Sequence, residues 1–336
     1  MATDAQATPG NDRQGPQTWL VLGATGFVGS ALVAELLARG TRVTTLAAPR
    51  LRSDASTATE LLTEARGKSQ AEDFTTLVQA FTGVDVVVNA AGLATPGGGE
   101  SAELTGANAL LPAVVALAAH AAGVRRMVHL SSASVQGNRR VIDESSDRSP
   151  FSAYSRAKAL GEEVLEQLAA DAQWTAPASS ALVTVRATSV QGPSRPTTVS
   201  LVKVASSPLA SVASPGTAPT PVSSIHGLAW FVAEAGQHAA DVPALVLQPW
   251  EGLSVTEVLA AAGGRTPIKL PAWLCRAVLN VGYLLSRLLG ERLHGPIRRV
   301  ELMWFGQAQT PGWAESAGVL PAAAVSALLE QARSGS

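Results

Sequence analysis

The feature that most constrains the fold is a glycine-rich turn between an apolar strand and a helix. Three glycines spaced three apart follow the strand pattern TWLVLG and precede the helical pattern VGSALVAELLARG. A strand end, a tight turn and a helix N-terminus bring backbone N–H groups and the positive end of a helix dipole together, which suits a pyrophosphate. The residues expected to hold a dinucleotide here are Gly23, Thr25, Gly26, Phe27, Val28 and Gly29.

Short apolar strands alternate with helical patterns up to about residue 192, which predicts a doubly wound α/β (Rossmann) fold with a parallel sheet. The stretch 193–221 is rich in Ser, Pro and Thr, and predicts a long irregular loop. Helix and strand patterns return after residue 222. We expect a disordered N-terminus at 1–17, a dinucleotide-binding domain with the catalytic residues at 18–192, and a substrate-binding loop and smaller C-terminal lobe at 193–336, partly interleaved with the main sheet.

Composition excludes several classes of protein. The net charge of −1 gives no general attraction to nucleic acid, and the single cysteine excludes an internal disulfide and a cysteine-rich zinc site, so no metal is expected. The N-terminus lacks a signal-peptide pattern, and the most apolar stretch, 270–289, is interrupted by Arg276, Asn280 and Arg287. We expect a cytoplasmic protein without an integral membrane segment.

The end of the second strand bears on which dinucleotide is bound. NAD sites usually have an acidic residue there for the ribose hydroxyls. That position falls near Ala47, and no carboxylate occurs before Asp54. Arg50 and Arg52 follow the strand, and a guanidinium can pair with a 2′-phosphate. The sequence favours NADP held by Arg50, with NAD as the alternative, although both arginines could be exposed loop residues.

Tyr154 and Lys158 are four residues apart and therefore share one helix face. A phenol with a pKa of about 10 is a poor acid or base at neutral pH unless a cation stabilises its phenolate. The strand end 130–135 adds hydroxyls where ligands of parallel sheets bind, and one of them could hydrogen-bond a substrate oxygen. Together these groups predict proton transfer to or from a carbonyl.

These motifs resemble those of the extended short-chain dehydrogenase/reductases, which include sugar-nucleotide epimerases, dehydratases and 3β-hydroxysteroid dehydrogenases. The resemblance covers about residues 18 to 235. The matching segments are GATGFVG at 23–29, NAAG at 89–92, Asn108, SSASVQG at 131–137, YSRAK at 154–158, RATSVQGPS at 186–194 and SSIHGLA at 223–229.

The resemblance implies a role for each matching residue. Tyr154 is expected to exchange the proton, Lys158 to hold the nicotinamide ribose and tune Tyr154, and Ser132 to bind the carbonyl oxygen, with Ser131 as a less favoured substitute. Further cofactor contacts are expected from Asn89, Ala90, Ala91, Gly92 and Asn108. The residues expected to line the substrate pocket are Leu93, Ser134, Gln136, Val190 and Gln191.

Departures from the family pattern bear on the substrate. Gln136 and Gln191 stand where the family often has tyrosine, which weakens the case for a sugar nucleotide, and the acid pair of dehydratases is missing. We expect an NADPH-dependent reductase (or dehydrogenase) that interconverts a ketone and a secondary alcohol on a hydrophobic small molecule, in secondary metabolism or steroid-like chemistry. The alternatives are a sugar-nucleotide epimerase, with diphosphate ligands among Arg195, Lys203 and Lys269, and a non-catalytic dinucleotide sensor.

Two segments suggest further packing. The apolar residues of 270–289 follow helical spacing, which we interpret as core or subunit packing, with a hydrophobic substrate lid or shallow membrane contact as alternatives. They are Trp273, Leu274, Ala277, Val278 and Val281. Residues 303–305 could extend an apolar pocket or belong to the core. The resemblance also implies a homodimer formed by the helices at about 103–122 and 153–170.

Overall fold

The computed structural model describes residues 17–94, 99–171, 174, 181–193, 195–289 and 293–335, so the predicted disorder of 1–17 concerns residues almost entirely outside this part of the chain. The strands are β1 Thr18–Leu22, β2 Arg42–Leu46, β3 Val86–Asn89, β4 Arg126–Ser132, β5 Val141–Ile142, β6 Ala181–Ala187, β7 Ser189–Gln191, β8 Ser211–Ala213, β9 Val222–Ser224, β10 Leu245–Leu247, β11 Ile268–Leu270 and β12 Ala308–Gln309.

The helices begin after the glycine-rich turn and continue to the C-terminal end of the described chain. They are α1 Phe27–Ala38, α2 Ala58–Gly67, α3 Glu72–Phe81, α4 Ala102–Thr105, α5 Leu111–Ala121, α6 Ala153–Ala169, α7 Pro196–Ser206, α8 Ile225–Gln237, α9 Val255–Gly263, α10 Ala272–Leu288, α11 His294–Phe305, α12 Trp313–Ser316 and α13 Val325–Ser334.

Six parallel strands form the central sheet in the order β10-β6-β4-β3-β1-β2. The chain winds to one side of β1 with β2 and to the other side with β3, so the order reverses between β1 and β3. Ligands of such sheets bind at the carboxyl ends of the strands at this reversal. The predicted doubly wound α/β fold is confirmed, and the reversal places the glycine-rich turn at the binding edge.

Helices cover both faces of this sheet. On one face α2, α3, α5 and α6 bury residues such as Leu110, Val114 and Met127. On the other face α1 and α8 bury Leu32 and Phe231. Complete burial of such side chains contributes about 1.5–3 kcal/mol each, so both layers are required for the sheet to be stable.

The chain after residue 192 is built into the same body. β10 is an edge strand of the main sheet, and α8 forms part of one covering layer. The prediction of an irregular loop over 193–221 is wrong in part, because the stretch contains α7 and β8. Pro196 opens α7, and Val202 and Ala205 bury its apolar side against α9. Tertiary packing outweighs the loop-like composition of this stretch.

One helical segment also differs from the prediction. The segment expected to be one helix over 103–122 is divided into α4 and α5 by a π-helical turn, Gly106–Leu110. The π-helical turn matters for the site because it carries Asn108.

The helices expected to form a dimer are largely covered within the chain. Between 111 and 121 the only fully exposed residue of α5 is Ala121, and the exposed residues of α6 are the charged Arg156, Glu163 and Glu166. Neither helix leaves an apolar face for a partner, so the homodimer stays a prediction without this interface. Among the described helices, Ala102–Ala121 is long and apolar enough to cross a membrane, but it is mostly buried in the core.

Candidate active site

The glycine-rich turn is packed so closely that two of its positions require glycine. Gly23 has φ of +79°, and a Cβ there would lie 2.6 Å from the backbone N of Ala91. A Cβ on Gly29 would lie 2.1 Å from the carbonyl oxygen of Gly23. Asn89 holds the facing loop, since its Oδ1 accepts a hydrogen bond of 3.2 Å from Ala91 N. The other predicted residues at this edge are Thr25, Phe27, Val28 and Ala90.

The N-terminus of α1 is open to an anion. Gly26 is the N-cap residue, and within the described chain no side chain caps this helix. Uncapped N–H groups in a first turn, together with the helix dipole, favour a phosphate group. The turn therefore fits the pyrophosphate of a dinucleotide.

Asn108 and Lys158 converge below this turn. The Nδ2 of Asn108 donates 2.9 Å to the carbonyl of Leu93, whereas its Oδ1 is buried and has no hydrogen-bond partner among the described residues. A Cβ on Gly92 would lie 2.8 Å from this Oδ1 and 3.3 Å from Lys158 Nζ. Gly92 thus keeps a space open between a free acceptor and an ammonium group, which suits a polar ligand such as a ribose.

Lys158 is turned inward, with only 4% of its surface exposed. Its Nζ donates 2.8 Å to the carbonyl of Leu130, at the end of β4. Burial lowers the pKa of Lys158 to about 8, and the carboxylate of Glu162 opposes that shift. Burial and the charge of Lys158 together lower the pKa of His129 well below its usual value. Lys158 is therefore a cation whose pKa lies close to neutral pH.

Tyr154 lies between Ser132 and Arg195. Burial raises the pKa of Tyr154, while the Arg195 charge and a hydrogen bond with Ser132 act in the opposite direction. The Arg195 guanidinium also lies 4.9 Å above the ring of Phe27, in the glycine-rich turn. The cation that acts on the phenol here is Arg195, and the expectation that Lys158 tunes Tyr154 stays a prediction.

Sequence reasoning considered Arg195 only as a diphosphate ligand and missed its position beside the phenol. The available signal was its place just after the segment 186–194, which follows a strand of the main sheet. Arg195 is the N-cap residue of α7, so the start of that helix directs it toward the site. The other two candidate diphosphate ligands, Lys203 and Lys269, are exposed on α7 and β11.

The serines at the end of β4 have different roles. Ser132 Oγ lies 2.9 Å from Ser134 Oγ and faces Tyr154. Ser131 instead donates 2.6 Å to Glu162, whose carboxylate also binds the buried Arg186 at 2.7 Å. Ser131 is thus part of a buried polar network, which leaves Ser132 as the hydroxyl beside the phenol.

Three of the predicted pocket residues lie elsewhere. The Gln136 amide is fully buried and exchanges two hydrogen bonds of 2.8 Å with Asp143. Gln191 accepts from Thr198 at 2.9 Å, and Val190 belongs to the apolar core. These predictions are wrong because the side chains hold loops and sheet together and do not line a cleft. Leu93, by contrast, is 37% exposed next to Gly92.

The two arginines after β2 are distinguished by their partners. Arg52 forms an ion pair with Glu103, on α4. Arg50 is exposed, and no ion pair is found for it in the described part of the chain. Arg50 is therefore the one available to a 2′-phosphate.

The fold and this constellation define a Rossmann-type enzyme that uses a nicotinamide dinucleotide. The model of the NAD dependent epimerase/dehydratase family matches residues 19–217, and the chain belongs to that family. The family is described as one of NAD-dependent epimerases and dehydratases.

Two curated relatives match part of the chain. Sterol demethylase protein B of Methylococcus capsulatus is 34% identical over 150 residues, which is 43% of this chain and 45% of that protein. The 4-hydroxy-2-methyl-3-oxo-4-farnesyl-3,4-dihydroquinoline-1-oxide ketoreductase of Stigmatella aurantiaca is 33% identical over 162 residues, 44% of each chain. The chain spans less than half the length of these relatives.

Solved structures share the fold over nearly the whole chain. Human epimerase family protein SDR39U1 with NADPH has a TM-score of 0.60 at 20% identity, covering 95% of this chain and 100% of that one. UDP-glucuronic acid 4-epimerase of Bacillus cereus in complex with NAD has a TM-score of 0.59 at 18% identity, covering 94% of each chain. At this identity the likeness concerns the fold alone.

Proposed function

We propose that the protein is an NADPH-dependent reductase of a ketone on a hydrophobic small molecule, or the reverse dehydrogenase. The observation that carries the proposal is a buried phenol, Tyr154, flanked by the Ser132 hydroxyl and the Arg195 guanidinium at the edge of the glycine-rich turn. The two curated relatives, a ketoreductase of a farnesylated ring and a sterol demethylase protein, support a lipophilic substrate.

The residues present fit a nicotinamide dinucleotide. The uncapped start of α1 would hold its pyrophosphate, and the free oxygen of Asn108 beside Lys158 would hold a ribose. Arg50 would pair with the 2′-phosphate, which supports NADP over NAD. The test is a comparison of the dissociation constants of NADPH and NADH, and equal values would contradict the preference. When bound, the reduced cofactor supplies a hydride to the carbonyl carbon.

The side chains of the protein would bind the carbonyl oxygen and transfer a proton to it. Ser132 and Tyr154 would hydrogen-bond this oxygen and orient it. As negative charge develops there, Tyr154 gives its proton and becomes a phenolate. The raised pKa of Tyr154 keeps the proton in place at neutral pH before reaction, and Arg195 stabilises the phenolate afterwards. A proton from solvent then restores the phenol.

The test is the variant Tyr154→Phe, assayed by NADPH consumption against a panel of ketones that ranges from polar to lipophilic. Loss of a general acid lowers turnover by about 10²–10⁴-fold. NADPH binding, followed by its fluorescence, should persist. The matched control is Tyr283→Phe, which removes the only other tyrosine; its hydroxyl donates to Glu301 away from the site. Unchanged turnover in Tyr154→Phe would contradict the role of Tyr154 as the proton donor, and wild-type protein that binds NADPH but reduces none of the ketones would favour a dinucleotide sensor.

A sugar-nucleotide epimerase is the second candidate, and Arg195 is the observation that favours it. A guanidinium in the site could pair with a diphosphate. An epimerase retains its cofactor and interconverts UDP-sugars without net consumption of NADPH, whereas a reductase consumes one NADPH for each alcohol formed. Product analysis with UDP-sugars and ketones therefore separates the two.

We also retain two broader proposals, a homodimer and a cytoplasmic location. Resemblance to the family supports the dimer, although the expected helices are covered. A monomeric mass by light scattering at micromolar concentration would contradict it. Cell fractionation tests the location.

A further inference from the structure

One face of α10 is apolar and exposed. Trp273 is 70% exposed, Val281 58% and Leu288 76%. At 100° per residue the exposed apolar side chains fall within an arc of about 140°, and no polar residue of α10 lies in that arc. They are Trp273, Leu274, Ala277, Val278, Val281, Leu284, Leu285 and Leu288. The opposite side buries Cys275, Leu279 and Ser286. The interpretation of Trp273, Leu274, Ala277, Val278 and Val281 as core is wrong, because all five lie on the exposed side.

A second exposed apolar segment lies just before α10 along the chain. β11 pairs with β8, and Ile268 N donates 2.8 Å to the carbonyl of Ala210. This pairing brings Leu209, 82% exposed, beside Ile268, 51% exposed. We call Leu209, Ile268 and the exposed apolar face of α10 the apolar surface. Soluble monomers rarely leave contiguous apolar areas beyond a few hundred Å² in water, and larger ones mark protein or membrane contacts.

The two stretches of chain that carry the apolar surface have only positive charge, whereas Glu301 of the neighbouring α11 accepts a hydrogen bond from Tyr283 of α10. Stretches 196–233 and 258–289 contain no Asp or Glu, although the whole chain has 26 acidic and 25 basic residues. Within α10, Arg276 and Arg287 lie along one flank of the apolar arc, with Asn280 between them. The exposed cations of the two segments are Lys203, Arg265, Lys269, Arg276 and Arg287. Positive charge is thus concentrated in these two stretches, although the net charge of the whole protein is only −1.

We infer that the apolar surface binds an anionic lipid bilayer, with α10 lying in the plane of the interface. An amphipathic helix immerses its apolar face at the level of the headgroups, and flanking arginines pair with anionic headgroups. A second copy of the chain is the poorer occupant, because a two-fold interface would place two surfaces of the same positive charge against each other. The inference does not depend on which substrate the site converts.

The helix would lie on the membrane and not cross it. Its other side is packed on the protein, where Cys275 is 0% and Leu279 6% exposed. A spanning helix would need about 20 predominantly apolar residues free of such packing. The contact is therefore peripheral and should respond to salt.

The experiment is cosedimentation of the full chain with vesicles of phosphatidylcholine alone and of phosphatidylcholine with phosphatidylserine. We expect binding to the anionic vesicles, weaker at high salt and on neutral vesicles. The double variant Trp273→Ser, Leu288→Ser should lower the partition coefficient at least about tenfold, because it removes apolar area from the inserted face. The matched control is Leu37→Ser, Leu320→Ser, at residues 59% and 52% exposed outside the apolar surface.

Further variants test the role of the cations in vesicle binding, and whether binding is independent of the catalytic reaction. Lys269→Glu with Arg287→Glu should abolish the preference for anionic vesicles, with an unchanged circular dichroism spectrum showing a folded protein. Tyr154→Phe should bind vesicles as the wild type does. The vesicle assay can therefore be interpreted even if the proposed reductase activity is not found. Absence of binding by folded wild-type protein overturns the inference. So does a dimer that the double serine variant dissociates, since a second copy then covers the surface.

Discussion

At the scale of single residues, burial has opposite consequences for the two groups that the sequence paired. Burial disfavours the charged form of any side chain. It therefore raises the pKa of Tyr154, which keeps its proton, and lowers the pKa of Lys158 to about 8, so that its charge is lost in mildly alkaline solution. Of the two, Lys158 is the group whose titration falls within the usual range of an enzyme assay.

A pH dependence follows for ketone reduction. We expect kcat/KM to fall as pH rises through about 8, because Lys158 is protonated below its pKa and neutral above it. Tyr154 stays protonated across this window because its pKa is raised. Lys158→Arg should move this fall to higher pH, since a guanidinium does not deprotonate there. The measurement is kcat/KM from about pH 6 to about pH 10. A fall at the same pH in both proteins would assign it to another group.

At the scale of elements, close backbone approaches position the binding edge. The turn after β1, the loop after β3 and the π-helical turn meet there through glycines. Gly106 of the π-helical turn also meets the loop after β2, since a Cβ on it would lie 2.0 Å from the carbonyl oxygen of Leu51. Such contacts explain why glycine spacing predicted the turn. The loop-like composition of 193–221, by contrast, did not predict α7.

Gly29→Ala tests the turn as a unit. The new Cβ would meet the carbonyl oxygen of Gly23 at 2.1 Å, and backbone atoms cannot rotate away as a side chain can. The turn must open, so we expect the dissociation constant of NADPH to rise at least about tenfold, equivalent to about 1.4 kcal/mol. The measurement is a fluorescence titration. Gly67→Ala is the control, because nothing in the described chain lies within 4 Å of a Cβ there. Equal affinities in the two variants would show that the turn tolerates the added atom.

At the scale of the whole molecule, the expected domain boundary at residue 192 divides the dinucleotide-binding part from the substrate-binding part. The two parts nevertheless share one structure. β10 completes the sheet beside β6, and α8 covers one sheet face. Gly236 of α8 lies so close to Trp19 of β1 that a Cβ would be 2.2 Å from the indole ring. The chain after residue 192 is therefore part of the same core as the chain before it.

A fragment that ends at Gly192 should consequently not fold by itself. It would expose Trp19 and Val183, which are 1% exposed in the whole protein, and it would leave β6 as an uncovered edge. We expect the full chain to unfold in one cooperative denaturant transition and the fragment to show none. Circular dichroism followed through a urea titration measures both. A cooperative transition in the fragment would mean that the dinucleotide-binding part is an independent domain.

The sequence by itself determined those features that depend on near neighbours along the chain. Glycine spacing between a strand and a helix, the four-residue step from Tyr154 to Lys158, and the alternation of strands and helices each express local geometry, which periodicity reports. Tertiary structure alone decided which distant groups meet. It placed Arg195 beside the phenol, turned Gln136 and Gln191 inward, and left one side of α10 exposed, because partners in space are set by how layers pack and not by adjacent residues.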